Sequence, residues 1–376
     1  MTSSRRSIGH ELNDAELRAL VQLRLLPGLP DERLTQLLSC YHPVSLIESA
    51  RRGLLGEPAC RALGSPKYRE RIERALGVLH RCDVSVIAIG DDQYPQSMLA
   101  LGEFAPAMLF CRGRTELLQA DRAIAVIGAR DSTEYGDSVA ELFAIELARR
   151  GVTVISGLAR GIDGIAHESA LSAGGDTIAV LGCGIDVYYP PRNARLQERI
   201  AEEGLLISEF APDCPAYRKN FPQRNRLIAL LSSGVLVVEA GVKSGTRKTV
   251  DWALNHNVEV FAVPGPIGRY ESQGTNEIIQ DGGHLVTSIR DVFEVLHWHE
   301  PAATDGDDVQ AACADPTLRA LYARIPVTGV HVDDLAQRAG LSVADALTQL
   351  TQLELEGLVA QKPGKRFARV LARHSL

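Results

Sequence analysis

Hydrophobic residues in the middle of the chain form short, nearly continuous runs rich in Val, Ile and Ala, and polar or amphipathic segments separate these runs. Runs of this kind predict strands that are covered by helices on both faces, as in parallel sheets. The predicted strands are residues 84–90, 107–113, 123–128, 152–156, 177–181, 205–209, 235–239 and 258–263. The predicted helices are 136–150, one starting near residue 163, 193–203, 221–232 and 246–255. The alternation predicts a doubly wound, Rossmann-like α/β sheet that the first two strands extend at one edge.

The region before this sheet has helical spacing. Asn13 and Asp14 can cap a helix, and a Leu-Pro-Gly-Leu-Pro turn at 26–30 separates that helix from a second one. The turn resembles that of a helix-hairpin-helix or SAM-like module, which often contacts nucleic acid or protein. A helical packing domain without such a contact is the alternative.

The region after the sheet divides into two parts. Residues 299–316 have the acidic, Ala- and Pro-rich composition of a linker. From residue 317 onward, three short helical segments and a basic turn predict a winged helix. This module would contact duplex DNA or protein, or it would carry only a solvated basic tail. The predicted domains are a helical domain (1–80), an α/β core (81–298), a linker (299–316) and a winged helix (317–376).

Composition narrows the classes of function. The 376 residues carry a formal net charge of -7, so a polyanion would have to bind at a local basic patch. The seven cysteines include no Cys-x-x-Cys pair, which indicates a reducing cytoplasm rather than a disulfide framework or a zinc site. No apolar h-region follows the N-terminus and no apolar run approaches the length of a bilayer span, so we expect neither a secretory signal nor membrane insertion.

An arginine follows each of two central strands. Arg130 comes just after Gly128, and Arg160 comes just after Gly157. Because open α/β sheets bind ligands at the carboxyl ends of their strands, we expect both turns at one site. Guanidinium groups and helix N-termini both attract negative charge, so the predicted ligand is an anion.

The usual nucleotide fingerprints are incomplete. The turn at 182–187 has Val at the position of the third glycine, and the turn at 128–133 also departs from the dinucleotide pattern. We therefore expect no nicotinamide or flavin cofactor. Residues 241–249 (Gly-Val-Lys-Ser-Gly-Thr-Arg-Lys-Thr) lack the Gly-Lys-Thr of a P-loop, although their turn can donate N–H groups to one phosphate. A helix N-cap at Ser244 or Thr246 is the alternative.

No catalytic set or metal site is indicated. Asp163 and His167 share a helical face, but no third ligand lies at a matching spacing. We expect Asp163 to be an N-cap and His167 to be a buried, hydrogen-bonded residue. Ser156 and Cys183 end strands without the surrounding sequence of a hydrolase nucleophile.

A basic segment with one aromatic residue differs from these candidates. It reads Arg-Lys-Asn-Phe-Pro-Gln-Arg-Asn-Arg at 218–226 and opens a predicted helix. Cations at a helix N-terminus can hold a phosphate backbone, and an aromatic ring can stack on a base. The alternative is that Phe221 only fills the core.

The core contains an ordered series of motifs: Val-Ile-Gly-Ala-Arg at 126–130, Ser-Gly-Leu-Ala-Arg-Gly-Ile-Asp at 156–163 with His167, Ala-Val-Leu-Gly-Cys-Gly at 179–184, Tyr-Pro-Pro at 189–191, Asn-Phe-Pro-Gln-Arg-Asn-Arg at 220–226 and Val-Pro-Gly-Pro at 263–266. Over about residues 84–290, this series resembles the DNA-processing protein A family, also called Smf. The resemblance implies an extended Rossmann fold flanked by an N-terminal helical (SAM-like) domain and a C-terminal winged helix.

The resemblance also implies a function without known catalysis. Members of this family bind single-stranded DNA, protect it from nucleases, load the RecA recombinase during natural transformation and act as homodimers. The matching positions are Gly128, Arg130, Gly157, Arg160, Lys219, Phe221, Arg224, Asn225 and Arg226. The chain departs from the family at 244–249, where Arg247 and Lys248 would add two cations to the rim of the site or mark a divergent branch, and at Ala129, which replaces a hydroxyl residue. Lys243 and Ser244, which precede these cations, are also predicted to bind DNA.

Two other classes of function stay open at this point. A nucleotide-phosphate hydrolase would use Glu239 and the turn at 244–246, but it needs a second carboxylate or base that the sequence does not identify. A scaffold that only binds proteins would use the helical and winged-helix modules.

Overall fold

The structure is a computed structural model that describes residues 12–53, 55–242, 244–299, 315–325 and 329–369. Within these ranges, no helix has both the length and the apolar character needed to cross a membrane.

The described residues contain a nine-stranded sheet. Its strands are β1 (Val84–Ala88), β2 (Met108–Gly113), β3 (Ala123–Ile127), β4 (Thr153–Ser156), β5 (Thr177–Val180), β6 (Leu205–Ser208), β7 (Gly234–Val237), β8 (Glu259–Ala262) and β9 (His284–Leu285). They lie in the order β1-β2-β6-β5-β4-β3-β7-β8-β9. β2 pairs antiparallel with both β1 and β6, whereas the strands from β6 to β9 are parallel. The predicted Rossmann-like sheet and the edge position of its first two strands are confirmed.

The order of the strands reverses at β3. The chain moves outward from β3 through β4, β5 and β6, and then returns to place β7 on the other side of β3. Such a reversal leaves a crevice beyond the carboxyl ends of the central strands, where α/β sheets bind ligands. The turns after β3, β4 and β7 therefore meet at one edge.

Helices cover both faces of this sheet. They are α6 (Glu134–Arg149), α7 (Ile162–Ser172), α8 (Ala194–Glu203), α9 (Asn220–Leu230), α10 (Thr246–Asn255), α11 (Tyr270–Gln280) and α12 (Ile289–Val295), which follow five N-terminal helices. Successive residues of β3 point to opposite faces: Ile124 and Val126 join the core under α6, α7 and α12, whereas Ala125 and Ile127 join the core under α9 and α10. This explains why β3 is apolar at every position.

The N-terminal helices pack onto the same core. They are α1 (Asp14–Leu25), α2 (Asp31–Cys40), α3 (Pro43–Arg51), α4 (Glu57–Gly64) and α5 (Pro66–Arg81). Asn13 caps α1 as predicted, by accepting the backbone N–H groups of Ala15 and Glu16 at 3.0 Å. Buried residues such as Leu20 and Ile72 belong to one apolar cluster with Ile207 of β6. The helical module and the sheet thus share a continuous core.

The C-terminal residues form a separate apolar cluster. It is built from α13 (Pro316–Tyr322), α14 (Val332–Ala339), α15 (Val343–Leu355) and the strands β10 (Val330–His331), β11 (Val359–Lys362) and β12 (Arg366–Arg369). The antiparallel order β10-β12-β11 forms the wing, so the predicted winged helix is confirmed. The predicted linker falls mostly in residues 300–314, which lie outside the described residues.

The sequence pattern did not predict α11, β9 or α12. The buried side of α11 consists of Ser272, Gly274, Thr275 and Ile278, so a single large apolar residue marks its inner face. A helix that is buried through small and polar residues has no apolar period to detect.

Candidate nucleic-acid interface

A cleft of about 730 Å³ opens at the carboxyl edge of the sheet, where the strand order reverses. Four segments supply most of its lining: the turn after β3, the turn between β4 and α7, the first two turns of α9, and the loop between β7 and α10. Tyr189 and the start of α11 add to it. The sequence predicted that the two turns would share one site, and the structure brings them together with the basic segment of α9.

Glycines allow the first two turns to touch. A Cβ atom on Gly128 would lie 2.7 Å from Cγ1 of Ile162, and one on Gly161 would lie 2.3 Å from the carbonyl oxygen of Ala129. Gly161 also has a φ of +73°, which L side chains rarely adopt. The N–H of Ile162 donates to the carbonyl of Ala129 at 3.2 Å, so the two turns form one surface.

Asp163 shapes the second turn rather than capping α7. The N-cap of α7 is Gly161, so the prediction of Asp163 as the N-cap is wrong. The Asp163 carboxylate accepts the backbone N–H groups of Gly157 (3.2 Å) and Ala159 (3.4 Å). Burial raises the pKa of Asp163, and the nearby Arg224 guanidinium is the largest influence that lowers it. The carboxylate therefore folds the chain back before the helix begins.

Arg224 forms the floor of the cleft and is almost completely buried. Its Nη1 donates to the carbonyl oxygens of Gly157 (2.8 Å) and Val180, and its Nε donates to Oδ1 of Asn225 (3.3 Å). Burial lowers the pKa of Arg224 to about 10, which leaves the side chain charged at neutral pH. A Cβ on Gly157 would lie 2.4 Å from Nη2, so Gly157 provides the space for this guanidinium.

Arg226 points away from the cleft. It forms two hydrogen bonds with the Glu209 carboxylate at 2.7 and 2.6 Å, and both side chains are nearly inaccessible to solvent. Its Nε donates to the carbonyl of Phe104 at 2.9 Å. These donors hold α9 against the rest of the protein.

Phe221 lies on the wall of the cleft and is half-buried. Its ring centroid lies 5.3 Å from that of Tyr189, and the Arg130 guanidinium carbon is 5.8 Å away. A Cβ on Gly182 would lie 2.8 Å from the Phe221 ring, so this glycine lets the ring sit over the end of β5. An arginine beside two aromatic rings can contact both a phosphate and a base.

Several cations remain exposed around this wall. Arg130, Arg218 and Lys248 line the cleft, and Lys219 lies at the N-cap of α9. Arg160 is also exposed, but its Nη2 lies 3.2 Å from the Asp131 carboxylate.

The loop between β7 and α10 is tied to the first turn. Ser244 accepts the N–H of Thr246 at 3.2 Å, and Thr246 Oγ1 donates to the carbonyl of Gly128 at 3.4 Å. The N-cap of α10 is Gly245, so neither residue proposed as its cap occupies that position. Asn225 Nδ2 donates to the Gly245 carbonyl at 3.5 Å. Lys243 lies outside the described residues.

The two cations by which α10 departs from the family pattern, Arg247 and Lys248, point to different places. Lys248 lines the cleft. Arg247 instead donates to Asp281 at 2.9 Å and lies 3.9 Å from Glu277 of α11. Of the two, only Lys248 adds positive charge to the cleft wall.

The side chains considered for catalysis have structural partners. Glu239 accepts the N–H (3.0 Å) and the hydroxyl (2.5 Å) of Thr133, the N-cap of α6. Ser156 donates to the carbonyl of Val126 at 2.6 Å, and burial raises the pKa of Cys183 to about 12. The described residues include no group of three or more His, Cys, Asp or Glu that could hold a metal ion.

His167 is buried, as predicted, and its Nδ1 lies 2.7 Å from the Thr177 hydroxyl. Because the Thr177 hydroxyl donates to the Val154 carbonyl, it accepts a hydrogen bond from Nδ1, so Nδ1 carries the proton. Burial lowers the pKa of His167 to about 3.

Tyr189 and Asn193 are among the contributors to the cleft that were not predicted as site residues. Tyr189 belongs to a Tyr-Pro-Pro motif, and only its pairing with Phe221 shows that it walls the cleft. Asn193 donates to the carbonyls of Leu158 (3.1 Å) and Ala159 (3.0 Å) and so clamps the second turn. Asn193 has no sequence signal, since its partners lie more than thirty residues away.

Charge in the winged helix is divided between two surfaces. The third helix of the module, α15, has the sequence VADALTQLTQLEL and contains no Lys or Arg. The wing carries Lys362, Lys365, Arg366 and Arg369. Because acidic side chains repel phosphates, DNA contact by this module would have to use the wing rather than α15.

Comparisons with known proteins agree with this architecture. The chain matches the family described as DNA recombination-mediator protein A over residues 85–297 and the winged-helix domain of DprA over residues 300–365. It is 38% identical to Protein Smf of Escherichia coli over 354 residues, which cover 92% of this chain and 93% of that protein.

Two solved structures are similar to this chain. DNA processing protein A from Streptococcus pneumoniae is 32% identical with a TM-score of 0.60, over 77% of this chain and 100% of that one. DNA processing protein A from Helicobacter pylori, whose structure was described for its single-stranded DNA binding mode, is 32% identical with a TM-score of 0.53, over 57% of this chain and 97% of that one.

Proposed function

We propose that this chain, which belongs to the DNA recombination-mediator protein A family, binds single-stranded DNA in the cleft at the carboxyl edge of its sheet. The observation that carries the proposal is the combination of exposed cations with the Phe221 and Tyr189 rings at the point where the strand order reverses. The binding of single-stranded DNA by the Helicobacter relative supports the same function here.

The binding residues have different roles in this proposal. Arg130, Arg160, Lys219 and Lys248 contact phosphates, and Phe221 stacks on a base. The N–H groups of the turns that contain Gly128 and Gly157, together with Ser244 and Asn225, complete the surface. Arg224 and Arg226 do not contact DNA in this proposal, because their buried guanidinium groups donate to the Gly157 carbonyl and to the Glu209 carboxylate. They hold α9 and the turns in place beneath the cleft.

The wider role is part of the same proposal. The protein protects incoming single strands and loads the RecA recombinase on them during natural transformation. It acts as a homodimer without catalysis of its own, and a dimer with two clefts on one strand would gain avidity. The functional units follow the predicted boundaries at residues 80, 298 and 316, and the winged helix contacts duplex DNA or protein.

A binding assay tests this function. The full chain is titrated onto a labelled single-stranded oligonucleotide, with unlabelled duplex or single-stranded DNA as competitor. We expect single strands of any sequence to compete alike, because the contacts are to phosphates and the base edges are not read. They should compete far better than duplex, because only an unpaired base can stack on Phe221. Equal competition by duplex, or no binding, would contradict the proposal.

A nucleotide-phosphate hydrolase is the weaker candidate. Its required carboxylate, Glu239, is nearly inaccessible and accepts two hydrogen bonds from Thr133. A nucleotide-turnover assay with Glu239→Gln would support an enzyme only if the wild-type chain hydrolyses nucleotides and this variant does not.

A further inference from the structure

The helical N-terminal module contacts the back of α9. Arg24 of α1 donates through Nε to the backbone carbonyl of Glu209 at 3.0 Å and through Nη1 to Asp31 of α2 at 2.5 Å. The second oxygen of Asp31 accepts a hydrogen bond from Gln223 of α9 at 3.4 Å. The turn that joins α1 and α2 therefore connects with the helix that carries Phe221.

Glu209 continues this connection into α9 because its carboxylate binds the buried guanidinium of Arg226. Two sides of α9 have different neighbours: Phe221 and Asn225 line the cleft, whereas Gln223 and Arg226 face the module.

Around Gln223 this connection consists of a few polar bonds, whereas elsewhere the module and the sheet share one apolar cluster. A second cleft, of about 440 Å³, separates the module from the core at this place, and Arg24, Asp31, Gln223 and Arg226 line it. The N-cap of α9, Lys219, makes no side-chain capping bond, so the first turn of this helix lacks the usual local support. Contacts from other elements must hold that turn in place.

We infer that the helical module is a positioning element of the DNA site, and that Arg24 and Asp31 are its positioning residues. The inference rests on the proposed function, since it assigns no activity to the module itself. Arg24 and Asp31 contact no DNA; they fix the direction of α9, and thereby the place of Phe221 and Asn225 in the cleft.

Two substitutions with opposite effects on net charge test this role in the full chain. Asp31→Asn removes a negative charge and Arg24→Gln removes a positive charge, yet both loosen α9. We expect each to weaken binding to a labelled oligothymidine by about 3- to 10-fold, a size typical of coupling between distant residues. The slope of log affinity against log salt should stay unchanged, because no phosphate contact is lost. Arg24→Lys, which keeps the charge and part of the donor set, should lose less affinity than Arg24→Gln.

Arg18 and Glu73 supply matched controls. They form an ion pair at 2.5 Å within the same module, and both side chains are about half exposed. Glu73→Gln and Arg18→Gln repeat the two charge changes without touching α9, so both should bind DNA like the wild type. Urea unfolding of all five variants shows whether each is folded under the binding conditions.

The outcomes separate this inference from the proposed function. If the wild type does not bind single strands, the function fails and the inference fails with it. If the wild type binds and Arg130→Ala weakens binding, but Asp31→Asn and Arg24→Gln behave like their controls, only the inference fails. A positioning role would also be refuted if Asp31→Asn tightened binding while Arg24→Gln weakened it, since net charge alone would explain that result. A decrease of about 0.7 in the salt slope of either variant would refute it as well, because it would indicate a lost phosphate contact.

Discussion

Replacing Arg130 with alanine removes an exposed cation from the wall of the cleft. Within the described residues the Arg130 side chain has no hydrogen bond or ion pair, and its guanidinium carbon lies 5.8 Å from the centroid of the Phe221 ring. Its loss should therefore leave the fold intact. A hydrogen bond to a charged group contributes about 1.5–3 kcal/mol, so the dissociation constant for single-stranded DNA should rise about 10- to 150-fold.

The salt dependence gives a second and more specific measure. Each phosphate neutralised on a single strand contributes about 0.7 to the slope of log affinity against log salt. Fluorescence anisotropy with a labelled oligothymidine, at salt concentrations between about 50 and 200 mM, should therefore show a slope smaller by about 0.7 in Arg130→Ala. The loss should be the same for a mixed-sequence oligonucleotide, because Arg130 would hold a phosphate and not a base edge.

Arg247→Ala is the matched control. Like Arg130→Ala, this substitution removes one positive charge, here from α10. The Arg247 guanidinium, however, binds Asp281 at 2.9 Å outside the cleft. We expect its affinity to stay within about two-fold of the wild type, as for other exposed ion pairs, with an unchanged slope. An unchanged affinity and slope in Arg130→Ala, or an equal loss in Arg247→Ala, would refute the assignment of the cleft.

Two other changes have expected results of different kinds. Asp131→Asn releases Arg160 from a salt bridge at the rim and should tighten DNA binding by about 2- to 5-fold. The control Glu57→Gln breaks another exposed ion pair, in α4, and should not change DNA binding. An equal change in affinity in both variants would contradict the role of the rim. His167 has a pKa of about 3 in the folded chain against 6.5 as its ordinary value, so the unfolded chain binds the extra proton as the pH falls below about 6.5. The free energy of unfolding should then decrease by up to about 1.4 kcal/mol per pH unit between these values. Urea unfolding at pH 7 and pH 5 should show this decrease in the wild type but a smaller one in His167→Asn, and equal decreases would contradict it.

The sequence predicted the fold wherever burial is apolar. Residues 123–127 and 235–238 of two predicted strands are hydrophobic at every position because helices cover both sides, and the helix at 246–255 was placed at its observed bounds. α11 was not predicted, because its buried face uses Ser272, Gly274 and Thr275. Packing by small side chains is set by the shape of the neighbouring elements, which no local pattern describes.

The site was predicted at the level of segments rather than side chains. Four cations lie within residues 218–226, and the sequence alone does not show which of them are exposed and which are buried. Arg224 is buried because the Asp163 carboxylate that favours its charge lies in α7, and its carbonyl acceptors lie in β5 and just after β4. Arg226 is buried because Glu209 follows β6. Only the tertiary arrangement distinguishes the arginines that build the cleft from those that remain free to bind.

The net charge of -7 raises the question of how this chain could bind a polyanion. Charges in solution act over about 10 Å at 0.1 M salt, so acidic side chains on distant surfaces have little effect in the cleft. The local balance matters instead: Arg130, Arg218 and Lys248 line the cleft above the buried Arg224, against Asp131, Asp163 and Glu271. Asp163 lies beside Arg224, Asp131 is paired with Arg160, and Lys248 lies 3.9 Å from Asp251. Arg130 and Arg218 are therefore the wall cations for which the described residues provide no ion pair. A strand held by such a patch should dissociate readily as salt rises, since both the attraction and its range shrink together.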